Sequence, residues 1–229
     1  MAIKPVLFNT EMVRAILDRR KTCTRRIVKS TPSFFEVNEK PVYLYDTEPS
    51  MGKIYPPCQP GDILYVRETW QYLYELDGNE QIIEGTGKYY YAATDTIPFD
   101  TYVDASGVTH ERVPWKPSIH MPKEAARIWL RVTDVKVERL QEITEEQTEE
   151  EGFLFTPPCL HRTGENYCDI DGPCESNTKY CDMSSGELFG KVLWNSTIKK
   201  SDLAIYGWEA NPWVWVIEFE RCAKPEEET

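Results

Sequence analysis

Five cations and two hydroxyl groups lie within eight consecutive residues, 19–26, of a chain whose formal net charge is −12. A basic segment in an acidic protein indicates a local anionic or nucleotide-like partner. Thr24 could act as a nucleophile if a base removed its hydroxyl proton. Lys21 lies three residues away, and the neighbouring cations favour the neutral amine that such a base requires. The segment therefore predicts acyl transfer from an amide through an acyl-threonine intermediate.

The acid that this reaction needs is predicted at the end of a short helix. Thr144 and Gln147 match a capping box that begins the helix, and Gly152 is suited to end it in a left-handed conformation. Glu151 then lies in the last turn, where unpaired carbonyl groups and the negative end of the helix dipole disfavour an ionised carboxylate. We therefore predict that Glu151 protonates the departing amine. The competing interpretation is that residues 149–151 form a solvated acidic face.

The arginines of the basic segment are predicted to contact the substrate. Arg25 or Arg26 could stabilise the developing oxyanion or hold a ribose or phosphate, and Arg20 is predicted to bind substrate with them. The alternative is structural. Apolar residues at helical spacing predict a helix over 10–20, and cations are favourable at its C-terminal end. In that interpretation the two candidate catalytic residues are a surface cation and a hydroxyl that stabilises a local turn.

A second group of predicted substrate contacts follows a turn and a buried strand at 60–66. The turn has the sequence Pro-Gly-Asp, and the strand runs into Arg67, Glu68 and Trp70. An indole beside a charged pair could stack on a nucleobase, and Trp115 is another candidate platform. The competing interpretation for each aromatic residue is packing in the core.

Residues 154–190 are rich in cysteine and poor in aliphatic side chains, which predicts an insertion. Thiolate and imidazole ligands could hold a four-coordinate structural zinc there. No Cys-x-x-Cys pair is present, so free thiols and disulfides are competing interpretations. No cofactor is predicted for the catalysis itself. The predicted zinc ligands are Cys159, Cys168, Cys174 and Cys181, with His161 as a further candidate.

The overall composition limits the classes of partner. A net charge of −12 argues against loose binding to duplex nucleic acid, because such binding depends on many phosphate contacts. No segment approaches the ~18 uninterrupted apolar residues that a membrane helix needs. The start of the chain does not have the pattern of a secretory signal, so we expect a cytoplasmic protein with reduced cysteines. The expected partner is a nucleoside or single-stranded RNA bound in a small, focused site.

Short strands and few helices, without a β-α-β rhythm, predict an α+β protein built on a small β-barrel with flanking helices. We predict one domain over 1–223, with the cysteine-rich insertion at about 154–190 and a disordered tail at 224–229. Strands are predicted at 63–66, 88–93, 128–140 and 213–220, the last packed on both faces.

These pieces carry a resemblance to a known family. The segment 16–26, the turn and strand at 60–66, the region 140–151 and the closing strand resemble the ASCH domain family, and they occur in the same order. The resemblance covers the two ends and the middle of the chain, and it is closest to longer, prophage-encoded members of the family. It implies a PUA-like barrel fold.

Small bacterial ASCH proteins include an amidohydrolase that acts on N4-acetylcytidine. Its catalytic Lys, Thr and Glu correspond to Lys21, Thr24 and Glu151, although a shift of one residue in the acidic run would select Glu150. The resemblance therefore implies hydrolysis of an N4-acylated cytidine, as a nucleoside or derived from RNA. It leaves three alternatives: a non-catalytic module that binds RNA or a modified base, a single-strand ribonuclease, and an accessory interaction protein of a prophage.

Overall fold

The structure is a computed structural model that describes residues 1–29, 35–46, 52–75, 77, 79, 81–98, 102–103, 106, 108–153 and 183–226. The predicted zinc ligands and most of the cysteine-rich segment lie outside these residues. The chain divides into two compact units. Unit 1 comprises Met1–Arg19, Pro60–Thr133 and Phe219–Thr229, and unit 2 comprises Arg20–Gln59 and Asp134–Glu218. The prediction of a single domain stays a prediction.

The described residues form several sheets and few, short helices, so the α+β class is confirmed. The strands are β1 (Ile3–Leu7), β2 (Cys23–Ile27), β3 (Phe35–Glu39), β4 (Val42–Asp46), β5 (Ile63–Arg67), β6 (Trp70–Leu73), β7 (Lys88–Tyr91), β8 (Tyr102–Val103), β9 (Thr109–His110), β10 (Trp129–Arg139) and β11 (Trp213–Cys222). The α-helices are α1 (Thr10–Leu17), α2 (Glu145–Glu150), α3 (Ser185–Leu188), α4 (Asn195–Thr197) and α5 (Leu203–Tyr206). Short 3-10 helices lie at Ser118–His120, Lys123–Ala125, Leu140–Glu142, Lys200–Asp202 and Trp208–Ala210, and a π-helical turn lies at Phe189–Trp194.

In unit 1, β1 pairs in parallel with β5, and the start of β10 pairs antiparallel with the other edge of β5. The predicted turn before β5 is confirmed, with Gly61 at a φ of 87°. Asn9 caps α1 by accepting a hydrogen bond from the Met12 N–H. The helix ends at Leu17, earlier than predicted, because Arg19 adopts a left-handed φ of 62°. The cations at 19–21 therefore lie beyond the helix.

Strand β10 confirms the predicted strand at 128–140, and its side chains alternate as expected over most of its length. Leu130 and Val132 are buried, whereas Arg131 and Thr133 are exposed. Trp129 breaks this alternation, because it is buried although it shares the face of Arg131 and Thr133. It packs in unit 1 against a cluster that includes Ile63 and Met121, and burial of a large indole in such a cluster outweighs the alternation.

In unit 2, β2 pairs antiparallel with β11, from Cys23 opposite Glu218 to Ile27 opposite Val214. Four consecutive residues of β11, 214–217, are buried, which confirms the predicted packing on both faces. One face of the two strands covers an apolar cluster, which contains Cys23, Val214, Val216, Leu140, Trp194 and Trp208. This cluster is the support on which the candidate site is built.

The predicted acidic helix is also confirmed. Thr144 and Gln147 form the capping box of α2, and Gly152 follows its end at a φ of 79°. Strands β3 and β4 pair antiparallel as a hairpin. No helix in the described part of the chain is long and apolar enough to cross a membrane.

Candidate functional site

The site is built where the end of α2 runs beside the start of β2. Lys21 and Glu151 face each other in an antiparallel bridge, and the Thr22 N–H donates to the Glu150 carbonyl at 2.8 Å. The left-handed turn at Gly152 ends α2 at this position. Residues opposite each other in an antiparallel bridge place their side chains on the same side. The local fold therefore brings Lys21 to Glu151.

The contact between these two side chains is short and buried. The Lys21 Nζ lies 2.5 Å from the Glu151 Oε2 and donates also to the Glu151 carbonyl at 3.0 Å. The Lys21 side chain is 0% exposed and that of Glu151 is 4% exposed. Burying a charged side chain costs roughly several kcal/mol per ion, and only ion pairing and hydrogen bonds offset that cost. Each side chain therefore requires the other.

Arg25 extends the pair into a network. Its guanidinium contacts the Glu151 carboxylate at 3.3 Å, the Glu138 carboxylate at 2.6 Å and the Gln147 side-chain oxygen at 3.0 Å. Burial acts to lower the pKa of Arg25, but the charges of Glu151 and Glu138 outweigh it and raise that pKa. Arg25 therefore stays a cation. With Lys21, it gives the network two positive charges against two carboxylates.

Thr24 lies on the face of β2 opposite to that of Arg25, because successive side chains of a strand point to opposite faces. Its side chain is buried, with the residue 1% exposed, and its Oγ1 accepts a hydrogen bond from the Arg26 Nη1 at 2.9 Å. Burial lowers the pKa of Arg26, an effect that the charge of Glu151 opposes. The Arg26 guanidinium therefore interacts electrostatically with Glu151 and also donates a hydrogen bond to the Thr24 hydroxyl. That hydroxyl accepts from Arg26 and retains its own hydrogen to donate.

The remaining candidates of the basic segment and the acidic run have separate contacts. Arg20 donates from Nη1 to the Gly152 carbonyl at 3.1 Å, so it holds the turn that follows α2. Burial raises the pKa of the Glu150 carboxyl, with further contributions from Glu218 and Glu146. The carboxylate in contact with Lys21 belongs to Glu151.

Arg67, Glu68 and Trp70 belong to unit 1, and each has partners there. Arg67 donates to the carbonyls of Met121, at 2.7 Å, and Ile119, at 2.5 Å. Glu68 is 1% exposed and accepts two hydrogen bonds of 2.9 Å from the Arg127 guanidinium. Trp70 is packed in the cluster around Met121. These contacts give all three residues structural roles, and their predicted contact with substrate stays a prediction.

Glu138 and Gln147 are the residues of the network that were not predicted as part of a site. Gln147 was expected only as a capping residue, but its side-chain oxygen accepts from both the Thr144 N–H and Arg25. Glu138 lies on β10, more than one hundred residues from Arg25 along the chain, and the position of a buried arginine does not predict which distant carboxylate pairs with it.

The thiols of the described residues form no metal site. No disulfide links Cys23, Cys58 and Cys222, and the described residues contain no cluster of three or more His, Cys, Asp and Glu side chains suited to a metal ion. Burial, followed by the charge of Glu151, raises the pKa of Cys23 to about 12, so its thiol is neutral near pH 7. It packs in the apolar cluster of unit 2.

Comparisons of the chain with protein-family models, with curated proteins and with solved structures yield no match.

Proposed function

We propose that this protein is an amidohydrolase that removes the acyl group from an N4-acylated cytidine, as a nucleoside or derived from RNA. The observation that carries the proposal is the buried contact between Lys21 and Glu151 beside the strand that bears Thr24. A PUA-like barrel belongs to the same proposal. It is supported by the short strands and few helices of the described residues and by the resemblance of the sequence motifs to ASCH proteins.

The contact between Lys21 and Glu151 supports roles for Lys21 as the base and Glu151 as the acid. One proton that moves across the 2.5 Å contact converts the ion pair into a neutral amine on Lys21 and a carboxylic acid on Glu151. The neutral form holds the base and the acid that amide cleavage requires, without a change in total charge.

In the proposed reaction, Thr24 Oγ forms a bond to the acyl carbon while its proton passes to Lys21. The bond between that carbon and N4 then breaks, and Glu151 gives its proton to the departing cytosine amine. Water next attacks the acyl ester, with Glu151 as base and Lys21 as the acid that restores the Thr24 hydroxyl. Arg26 contacts the Thr24 oxygen at 2.9 Å, where a cation can stabilise the developing oxyanion.

The reaction requires two movements. Thr24 is 1% exposed, so it must be uncovered to meet a substrate. The Lys21 Nζ must also reach from Glu151 to Thr24, which the strand places on the other face of β2. A flexible lysine side chain provides this reach, and catalytic hydrogen bonds are often completed only when substrate is bound.

Release of cytidine from N4-acetylcytidine tests the proposal. We expect turnover by the wild type and a loss of about 100-fold or more in Thr24→Val, which removes the nucleophile and keeps the shape of the side chain. Lys21→Arg should lose activity to a similar extent, because arginine keeps the positive charge beside Glu151 but does not become neutral.

The matched control is Thr22→Val, which removes an exposed hydroxyl from the same segment. It should keep the wild-type rate. Unchanged turnover in Thr24→Val would show that Thr24 is not the nucleophile. Absence of turnover in the wild type would remove the amidohydrolase proposal.

A second candidate is a non-catalytic module that binds RNA or a modified base. The alternation of β2 favours it, since this places the Thr24 hydroxyl and the Lys21–Glu151 pair on opposite faces. It predicts saturable binding of N4-acetylcytidine, free or within single-stranded RNA, with no release of acetate. Binding weakened by Arg26→Gln and unaffected by Thr22→Val would support this candidate.

A further inference from the structure

Unit 1 contains a cavity of about 580 Å³ that the proposed reaction does not use. It lies among residues that follow β7 and residues between β9 and the 3-10 helix at Ser118–His120. The volume is in the range of pockets that enclose small molecules. Its apolar lining consists of Ala92, Ile97, Val113 and Trp115.

Asp95 supplies a carboxylate to this lining, and it is half-buried. The Tyr91 N–H donates to its Oδ2 at 2.9 Å, and the Thr94 hydroxyl donates to its Oδ1 at 2.9 Å. Both donors are neutral. They hold the carboxylate in place and leave its negative charge without an ion-pair partner in the described part of the chain.

The cations near Asp95 are matched elsewhere. Arg127 donates to the Thr94 hydroxyl at 2.8 Å, but its two bonds to a carboxylate go to Glu68. Glu111 and Arg112 also line the cavity, and both are exposed side chains of opposite charge. Among the charged side chains of the lining, Asp95 is the half-buried one, whereas the charges of Glu111 and Arg112 are exposed to solvent.

Trp115 supplies the second recognition element. It is half-buried in the lining, together with aliphatic side chains. The face of an indole attracts cations more strongly than any other aromatic side chain does. The described residues supply no ion-pair partner for this carboxylate, and a carboxylate and an indole that line the same cavity are complementary to a positive charge attached to an apolar body. The negative charge of the whole protein raises the local concentration of such a ligand.

We propose that this cavity binds a small organic cation, a protonated amine on a compact apolar group. Asp95 is the counter-ion of the ammonium, Trp115 contacts the cation or the ring attached to it, and the aliphatic side chains cover the apolar part. This site is separate in its residues and its chemistry from the proposed hydrolysis at Thr24, so either proposal can fail without the other.

The test compares two ligands of nearly equal shape, benzylamine and benzyl alcohol, by titration calorimetry of the full chain near pH 7 at low salt. Benzylamine is protonated under these conditions, and benzyl alcohol is neutral. We expect saturable binding of the amine and at least about tenfold weaker binding of the alcohol, with the difference reduced by added salt. Equal affinity for the two ligands, or no binding of the amine, would overturn the proposal.

Variants assign the binding to the cavity. Asp95→Asn should weaken amine binding about tenfold or more, while it retains a side chain of the same size. The matched control is Glu124→Gln, which removes the same charge from an exposed residue of unit 1 outside the cavity lining and should change affinity less than about threefold. Equal effects of the two variants would indicate a general electrostatic attraction and overturn the proposal. Trp115→Leu provides an independent variant, and wild-type affinity in it would also contradict the assignment.

Discussion

Two carboxylates in this protein are surrounded in opposite ways. In unit 2, Glu151 contacts two cations, Lys21 and Arg25, and all three side chains are almost fully buried. In unit 1, Asp95 is only half-buried, and its partners are a backbone N–H and a hydroxyl. The charge of the first carboxylate is neutralised inside the fold. The second carboxylate has a fixed position, but no cation of the described residues forms an ion pair with it.

This difference distinguishes a carboxylate that stabilises the fold by pairing with buried cations from one that can pair with a ligand. A buried ion pair is costly to break, because the remaining partner stays buried without compensation. Glu151 can therefore take part in chemistry only by exchanging protons with its partners or when a substrate replaces them. Asp95 is held by neutral donors beside a cavity, so a cationic ligand can pair with it without first displacing a buried cation of the protein.

Glu68 lies between these extremes. It is as buried as Glu151, but its partner Arg127 has a side chain that is 28% exposed. Arg127 also stacks over Tyr91, with the centre of the guanidinium 4.0 Å from the ring centroid. The cation of this pair can be solvated in part when its anion is removed. We therefore expect the loss of unfolding free energy on replacing the carboxylate by an amide to decrease in the order Glu151, Glu68, Asp95.

The largest effect is expected for Glu151→Gln. It leaves Lys21 and Arg25, both with fully buried side chains, without one shared anion. We expect the free energy of unfolding, measured by urea denaturation near pH 7, to fall by about 3–5 kcal/mol. Glu149→Gln is the control, since it removes an exposed carboxylate from the same acidic run and should change stability by less than about 0.5 kcal/mol. A loss in Glu151→Gln no larger than that of the control would contradict the burial of the pair.

A smaller effect is expected for Glu68→Gln. Glutamine can keep one of the two hydrogen bonds to Arg127, and the arginine remains partly solvated. The expected loss of unfolding free energy is about 1–3 kcal/mol in the same assay. Glu124→Gln neutralises an exposed carboxylate of unit 1 and should be almost silent. If the loss in Glu68→Gln exceeded that in Glu151→Gln, partial exposure of the cation would not explain the series.

Much of the local structure around the site could be predicted from the sequence. The capping box at Thr144 and Gln147, the glycine that ends the helix and the strand at 213–220 are confirmed, since each depends on residues that are close in the chain. Lys21 and Glu151 were expected to act in one reaction, but the direct contact between their side chains was not predicted. Periodicity and capping residues predict where α2 and β2 lie in the sequence, but they do not predict which residues of the two elements face each other.

The rest depends on long-range pairing and on burial. Glu138 meets Arg25 because of how strands distant in sequence are arranged, and no local pattern encodes that arrangement. Arg26 was predicted to contact an oxyanion, ribose or phosphate, but the sequence pattern did not indicate that its guanidinium donates to Thr24 and to a backbone carbonyl. The Asp95 cavity gave no signal in sequence, because it is lined by irregular segments in which exposed and half-buried residues alternate without a period.

The smallest effect on stability is expected for Asp95→Asn, and it separates the two roles most clearly. Asparagine keeps one acceptor for the Tyr91 N–H or the Thr94 hydroxyl, and no buried cation loses its partner. The unfolding free energy should therefore change by less than about 1 kcal/mol, although the same substitution weakens amine binding. A loss above about 3 kcal/mol would show that Asp95 neutralises a buried charge in the fold, and it would place this carboxylate with Glu151. A small loss combined with weaker binding would show that the charge acts on an external partner.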